Sequence, residues 1–328
     1  MRRTAWSAAL LLPFTACRAS YSALDTASPE ATRITNLHWL ILWVTGVVSL
    51  AVIAALAIAL TRRRTAETRA GEGRRARAVA AAAIVSTALL LWLLTASVLA
   101  GRAVATPVGP GALRIQIVGH QWWWEVRYPA DPPSDTVITA NEIHVPVGRA
   151  VLLELSSTDV IHSFWVPNLN GKKDLIPGRP TRHLLRPERT GVFEGRCAEF
   201  CGYQHAHMGF VLIAEEPDRF ATWLASERRP ASEPIDAAAR HGREVFLSSA
   251  CVSCHAIRGI GAFGHKAPDL THLASRRTIG SAMLPNTDGP LAGWIVNSQH
   301  IKPGNHMPPN LLPADDLLDL VSYLRGLR

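Results

Sequence analysis

Two apolar runs dominate the first third of the chain. Residues 37–60 are almost wholly apolar, interrupted by His38 and a few small polar side chains, and residues 79–100 contain no charge. Each run is longer than the ~20 residues a helix needs to cross a bilayer. Trp39 and Trp43, near the start of the first run, suit the aromatic belt at a membrane surface. Between the runs stand Arg62, Arg63, Arg64, Arg69, Arg74, Arg75 and Arg77. A cluster of this kind is retained on the cytoplasmic side, so the N-terminus and everything after residue 101 are predicted to lie outside. A buried helical hairpin in a soluble domain is the alternative, and the length and flanks of both runs argue against it. From residue 112 the pattern changes to alternating apolar and polar positions, as in 113–118. Similar short runs follow at 137–139, 143–147, 150–155, 182–185, 192–194 and 209–214, with turn residues such as Pro177 and Gly178 between them. This predicts a β-sandwich or barrel over 112–214. A polar stretch, 215–235, reads as a linker with a short helix at 218–226. A helix is predicted at 237–248, then Gly- and Pro-rich loops, then a closing helix from Pro313 to Leu327. Tyr323 and Leu324 of that last helix are expected to pack on Gly242 and Phe246.

Composition and charge agree with an exported membrane protein. The 328 residues are 48% hydrophobic and only 18% charged, which is apolar for a soluble protein. A net charge of +8 invites a nucleic-acid reading. The arginines between the two apolar runs carry much of that excess, and a topology signal explains them better. Arg2 and Arg3, a short apolar core and small residues before Cys17 describe an export signal over 1–17. A cysteine just after the cut resembles a bacterial lipoprotein signal, with Phe14 where leucine is usual; cleavage without lipidation is the alternative. Residues 18–105 then form the N-terminal segment with its membrane hairpin, and 236–328 a last domain.

Of the five cysteines, four sit in motifs with metal chemistry. Cys197, Cys201, His205 and Met208 fall within twelve residues. Thiolate, imidazole and thioether together suit copper, whereas structural zinc has no use for the methionine. A Cys197–Cys201 disulfide leaves His205 and Met208 unexplained. His162, after a predicted strand, makes a fifth donor, too many for one four-coordinate copper. Two coppers sharing both thiolates resolve the excess, with a backbone carbonyl as one further donor. Downstream, Cys251, Cys254 and His255 form the Cys-x-x-Cys-His attachment signature of c-type haem. Met307 is the best sixth ligand for that iron. Met283 is the rival methionine, and His265, His272, His300 and His306 are further candidates.

The Cys197–Met208 loop, the Ser-Ser-x-Asp-Val-x-His-Ser run ending at Ser163 and Gly-His-Gln-Trp-x-Trp at 119–124 together resemble subunit II of haem–copper cytochrome c oxidase. With its C-terminal domain the chain resembles the variant carrying a fused cytochrome c. The resemblance implies a two-helix transmembrane hairpin, an all-β cupredoxin Greek-key sandwich and an all-α class I cytochrome c domain. It implies that His162, Cys197, Cys201 and Met208 hold one copper of a binuclear Cu(A) centre. Cys197, Cys201, His205 and the carbonyl of Glu199 hold the other. The Glu199 side chain matches a magnesium ligand at the boundary with subunit I, and Trp122 the aromatic residue that passes electrons to Cu(A). Trp123 and Trp124 are expected to belong to an aromatic strand at the membrane surface, His207 to be a surface histidine and His120 structural. Subunits I and III, and a donor such as cytochrome c or a bc complex, are the implied partners, in a bacterial plasma membrane. One departure is that Arg77-Ala78-Val79-Ala80-Ala81 lacks the glutamate that marks a proton channel in many members; Glu67 and Glu72 lie before it. The electron-input subunit of a nitric oxide reductase carrying Cu(A), and a membrane-anchored copper assembly factor, are the competing readings.

Overall fold

The computed structural model describes residues 20–61, 69–104, 109 and 111–328. The export signal, Cys17 and Glu67 lie outside these residues. Two long helices come first, α1 (Pro29–Thr61) and α2 (Arg69–Val104). Both are long and apolar enough to cross a membrane. They extend beyond the apolar runs expected at 37–60 and 79–100. The early start of α1 has a local cause. The Ser28 hydroxyl accepts the Ala31 N–H at 3.1 Å, Pro29 occupies the first turn, and Glu30 follows. Serine at the cap, proline at the first helical position and an acid in the first turn form a strong start signal. Glu30 is buried and paired with Arg186 of the following domain, so α1 begins inside that domain.

Ten strands form the next domain: β1 (Leu113–His120), β2 (Trp123–Tyr128), β3 (Val137–Ala140), β4 (Glu142–Pro146), β5 (Val151–Ser157), β6 (His162–Trp165), β7 (Lys173–Leu175), β8 (Thr181–Leu185), β9 (Gly191–Cys197) and β10 (Gly209–Glu215). They make two five-stranded sheets, ordered β3-β2-β1-β5-β8 and β4-β10-β9-β6-β7. The chain crosses between sheets after β3, β4, β5, β7 and β8. β1 runs parallel to β5 and β4 parallel to β10; the other pairings are antiparallel. The alternation at 113–118 buries Ile115 and Ile117, which meet Trp124, Leu153, Leu155, Phe164 and Phe210 in one apolar core. Trp124 is therefore a core residue, not part of a membrane-surface strand: its ring meets Phe164 and Phe210 edge-on at centroid distances of 6.1 and 5.2 Å.

The segment after β10 is not simply a linker. Helix α3 (Pro217–Glu227) lays Trp223 flat on His144 at 3.9 Å and edge-on to Tyr128. Only the stretch after Glu227 connects to the last domain, and the Arg228 and Arg229 carbonyls already accept hydrogen bonds from Arg258 and His272. Helix α4 (Ala237–Ser248) is capped by Asp236, and α6 (Ala314–Gly326) packs across it. A Cβ on Gly242 would lie 1.9 Å from the Asp319 carbonyl oxygen, so glycine is what permits this crossing. Phe246 and Tyr323 meet there with centroids 6.3 Å apart, as expected. A third helix, α5 (Asp288–Ile301), occupies a stretch expected to be loop. Its buried Leu291, Ile295 and Ser298 recur at helical spacing, and Gly289, Pro290 and Gly293 near its start obscure that pattern.

Candidate metal centres

The β9–β10 connection and the start of β6 meet at one end of the sandwich. There the Sγ atoms of Cys197 and Cys201 lie 3.8 Å apart, as free thiols, which excludes the disulfide. Cys197 Sγ is 3.9 Å from His162 Nδ1 and 3.2 Å from the Glu199 carbonyl oxygen. Cys201 Sγ is 3.6 Å from His205 Nδ1 and 3.8 Å from Met208 Sδ. Two sulfurs side by side, with one imidazole and one weaker donor toward each, fit a pair of soft metal ions sharing both thiolates. His162, Cys197, Cys201 and Met208 are buried. Contact with Cys201 and with His162 favours a thiolate on Cys197, and contact with Cys197, together with burial, pushes the Cys201 thiol up.

Neighbouring groups orient the donors. His162 Nε2 meets Asp159 Oδ1 at 2.8 Å, which leaves Nδ1 facing the sulfur. The other Asp159 oxygen accepts the Gln121 N–H at 2.6 Å. Behind the imidazole, Gly119 leaves the space: a Cβ there would lie 2.8 Å from His162 Cδ2. Trp124 stands edge-on to the same ring at 6.0 Å. Donor spacing alone does not point to Gly119 or Asp159 as site residues, although both lie inside the Gly-His-Gln-Trp and Ser-Ser-x-Asp-Val motifs. The Glu199 carboxylate is exposed and pairs with Lys172 at 2.9 Å. His207 is exposed and contacts Gln204 at 2.7 Å, while His120 stacks on Trp123 and pairs with Glu125.

In the last domain Cys251 and Cys254 are free and half-buried beside His255. His255 Nδ1 meets the Pro268 carbonyl at 2.7 Å, leaving Nε2 as the ligating atom. Burial lowers the affinity of this ring for a proton, as a neutral metal-ligating imidazole requires. A Cβ on Gly264 would lie 2.5 Å from the Cys254 backbone, so that segment closes tightly on the motif. These residues fit a covalently held haem. Met307 lies in a braced loop, its carbonyl accepting from Ser298 Oγ and Gln299 Nε2 at 2.8 and 2.7 Å. Met283 instead lines a cleft between the two domains with Arg196, His207 and Thr278. His272 is buried against the Arg229 carbonyl, whereas His265 and His300 are exposed.

The two sites come together at Trp122. Its indole N–H donates to the Cys201 carbonyl at 3.0 Å. Its ring centroid lies 6.0 Å from that of His306, the neighbour of Met307. The residue is only 8% exposed: it joins the core of the sandwich and meets the last domain through His306, Ser281 and Lys302. Its carbonyl accepts from Ser281 Oγ at 2.8 Å and from Lys302 Nζ at 2.6 Å. Burial draws the Lys302 ammonium down to about 7. Nothing local in the sequence distinguishes Lys302 or Ser281.

Fold and sites together define a class: a protein with two membrane-length helices that joins a copper-type cupredoxin sandwich to a cytochrome c domain. Residues 130–215 match the cytochrome c oxidase subunit II periplasmic domain family, and residues 239–328 the cytochrome c family. Cytochrome c oxidase subunit 2 of Alkalihalophilus pseudofirmus is 38% identical over 223 residues, 67% of this chain and 63% of that protein. The alternative cytochrome c oxidase subunit 2 of Bradyrhizobium diazoefficiens is 32% identical over 57% of this chain and 77% of its own length. The solved periplasmic domain of subunit II of cytochrome oxidase from Bradyrhizobium japonicum is 30% identical, with 37% of this chain covering 96% of it at a TM-score of 0.34. This chain belongs to the cytochrome c oxidase subunit II family. It spans about 63% of the length of the first of these relatives. Its two family domains imply a copper centre and a haem.

Proposed function

We propose that this chain is the electron-input subunit of a proton-translocating terminal oxidase, carrying its own covalent haem c. In this reading His162, Cys197, Cys201, His205, Met208 and the Glu199 carbonyl hold a binuclear Cu(A) centre. Cys251 and Cys254 hold the haem covalently, and His255 and Met307 ligate its iron. Bound there, the copper pair and the haem would each supply reversible one-electron transfer. The residues of the chain fix the geometry: Asp159 orients His162, Pro268 orients His255, and Trp122 stands between the two sites. The observation that carries the reading is the double contact of Trp122, with the Cys201 carbonyl on one side and His306, next to Met307, on the other.

The wider reading follows from the family. Subunit I would receive the electrons and reduce oxygen, subunit III would complete the complex, and a cytochrome c or a bc complex would reduce the haem. Glu199 is proposed to help hold a magnesium ion at the subunit I boundary; Lys172 now neutralises its carboxylate. The two helices anchor the chain in a bacterial plasma membrane, with the loop between them inside and both metal domains outside. Co-purification tests the catalytic assignment. The chain is expected to bring down a haem–copper subunit that turns over oxygen. A partner that turns over nitric oxide and not oxygen would move the chain to the nitric oxide reductases. A preparation with one labile copper and no haem would favour an assembly factor.

A further inference from the structure

The face between the two metal domains holds a cation that neither metal site uses. Lys302 is 2% exposed. Its Nζ donates to the Trp122 carbonyl at 2.6 Å, to Ser281 Oγ at 3.1 Å and to the Gly280 carbonyl at 3.5 Å. Among the described residues, no carboxylate forms an ion pair with it. Hydrogen bonds to these three oxygens, that of Trp122 across the face, offset the cost of burying the ammonium, and the Trp122 bond exists only while that face is closed. A second, independent feature meets it there. Gly280, Ser281 and Ala282 have φ values of +64°, +65° and +63°. Side chains rarely adopt this left-handed conformation, and Ser281 and Ala282 keep it only because their surroundings hold them. The turn aims the Ser281 hydroxyl at the Trp122 carbonyl and its own carbonyl at the Gly209 N–H, 3.2 Å away. Gly209 follows Met208 directly. The adjoining Pro303 carbonyl accepts from Gln204, inside the copper loop.

We infer that Lys302 and the Gly280–Ser281–Ala282 turn form a latch that holds the cytochrome c domain closed over Trp122. Lys302 is then a positioning residue for electron input, an inference that rests on the role proposed above for Trp122. The tether alone gives an effective concentration on the order of millimolar, which brings the domain near without choosing an orientation. The latch chooses one, with His306 beside the indole.

The test uses the full chain in its oxidase complex, as wild type, Lys302→Met and Ser281→Ala. Hydrogen exchange at the Gly209 amide reports closure, and fast reduction of the haem followed at the copper absorbance reports transfer. For Lys302→Met both metal spectra are expected to stay unchanged. Gly209 exchange should rise and transfer slow by roughly tenfold, the effect of losing one hydrogen bond to a charged group. The copper midpoint potential at pH 6 should fall, because a cation near Cys201 has been removed, and the gap to wild type should close as pH rises above about 7, where the wild-type lysine loses its charge. Ser281→Ala should open the face in the same direction by a smaller factor. Unchanged exchange and transfer in Lys302→Met would overturn the latch. If that variant loses copper or haem, unchanged Gly209 exchange in Ser281→Ala overturns it. A loaded wild type that passes no electron from haem to copper would sink the role of Trp122 instead, and Gly209 exchange would still decide the latch.

Discussion

Replacing Gly119 by alanine isolates the copper cradle from the rest of the chain. The new methyl would lie 2.8 Å from Cδ2 and 3.2 Å from Cγ of His162, and 3.3 Å from the Leu175 side chain. The imidazole has little freedom to yield. It is buried, its Nε2 is held by Asp159 at 2.8 Å, and Trp124 stands edge-on behind it. The ring must shift toward the Cys197 sulfur or rotate away from it. Overpacking of this kind costs about 1–3 kcal/mol. Here most of that cost falls on the orientation of one metal donor. Disturbing the groups that orient a ligand lowers metal affinity about 10–100-fold, which corresponds to about 1.4–2.8 kcal/mol. The assay is a copper titration of the purified chain against a chelator of known affinity, with haem absorbance as the internal count. Gly119→Ala is expected to weaken copper binding within that range and to leave the haem spectrum unchanged. Undiminished copper affinity in a folded variant would refute the reasoning that Gly119 sets the position of a ligating His162.

Three further outcomes follow from particular contacts. Gly242→Ala places a methyl against the Asp319 carbonyl and should destabilise the cytochrome c domain by about 1–3 kcal/mol or more; an unshifted thermal melt at the haem band would contradict the packing. His183 is buried, and burial, with Lys173 adding to it, holds its imidazole down at about 4. The unfolded chain binds that proton near pH 6.5. Between pH 6.5 and 4 the unfolded state therefore binds more protons, and stability falls as pH falls, by up to about 3 kcal/mol. Urea midpoints of the sandwich should show that loss in the wild type and much less of it in His183→Phe; equal slopes would exclude His183 as the cause. Met307→Leu should abolish methionine ligation of the haem, and a spectrum that still shows it would transfer the role to Met283.

Much of the molecule could be read from residues close together in sequence. The alternation at 113–118 predicted β1 because Ile115 and Ile117 enter the core while their neighbours do not. The copper loop was legible because four donors lie within twelve residues, and the haem motif because it is contiguous. What escaped depends on long-range contact. β6 and β7 are four and three residues long, too short to show a period. Trp124 reads as one more aromatic in a tryptophan-rich run until the opposite sheet supplies Phe164 and Phe210. Helix α5 was hidden by helix-breaking residues at its start, where they are tolerated. Lys302 looks like an ordinary lysine after a helix; its partner, the Trp122 carbonyl, lies 180 residues away. The helix in the expected linker shows in its own residues, whereas its docking through Trp223 on His144 depends on a partner nearly eighty residues away.

The most direct test of the account is metal analysis with EPR on the intact, purified chain. The ligand set predicts about two coppers for each haem c, with an unpaired electron shared between the two coppers. One copper per haem with the signal of a mononuclear blue-copper site would contradict it.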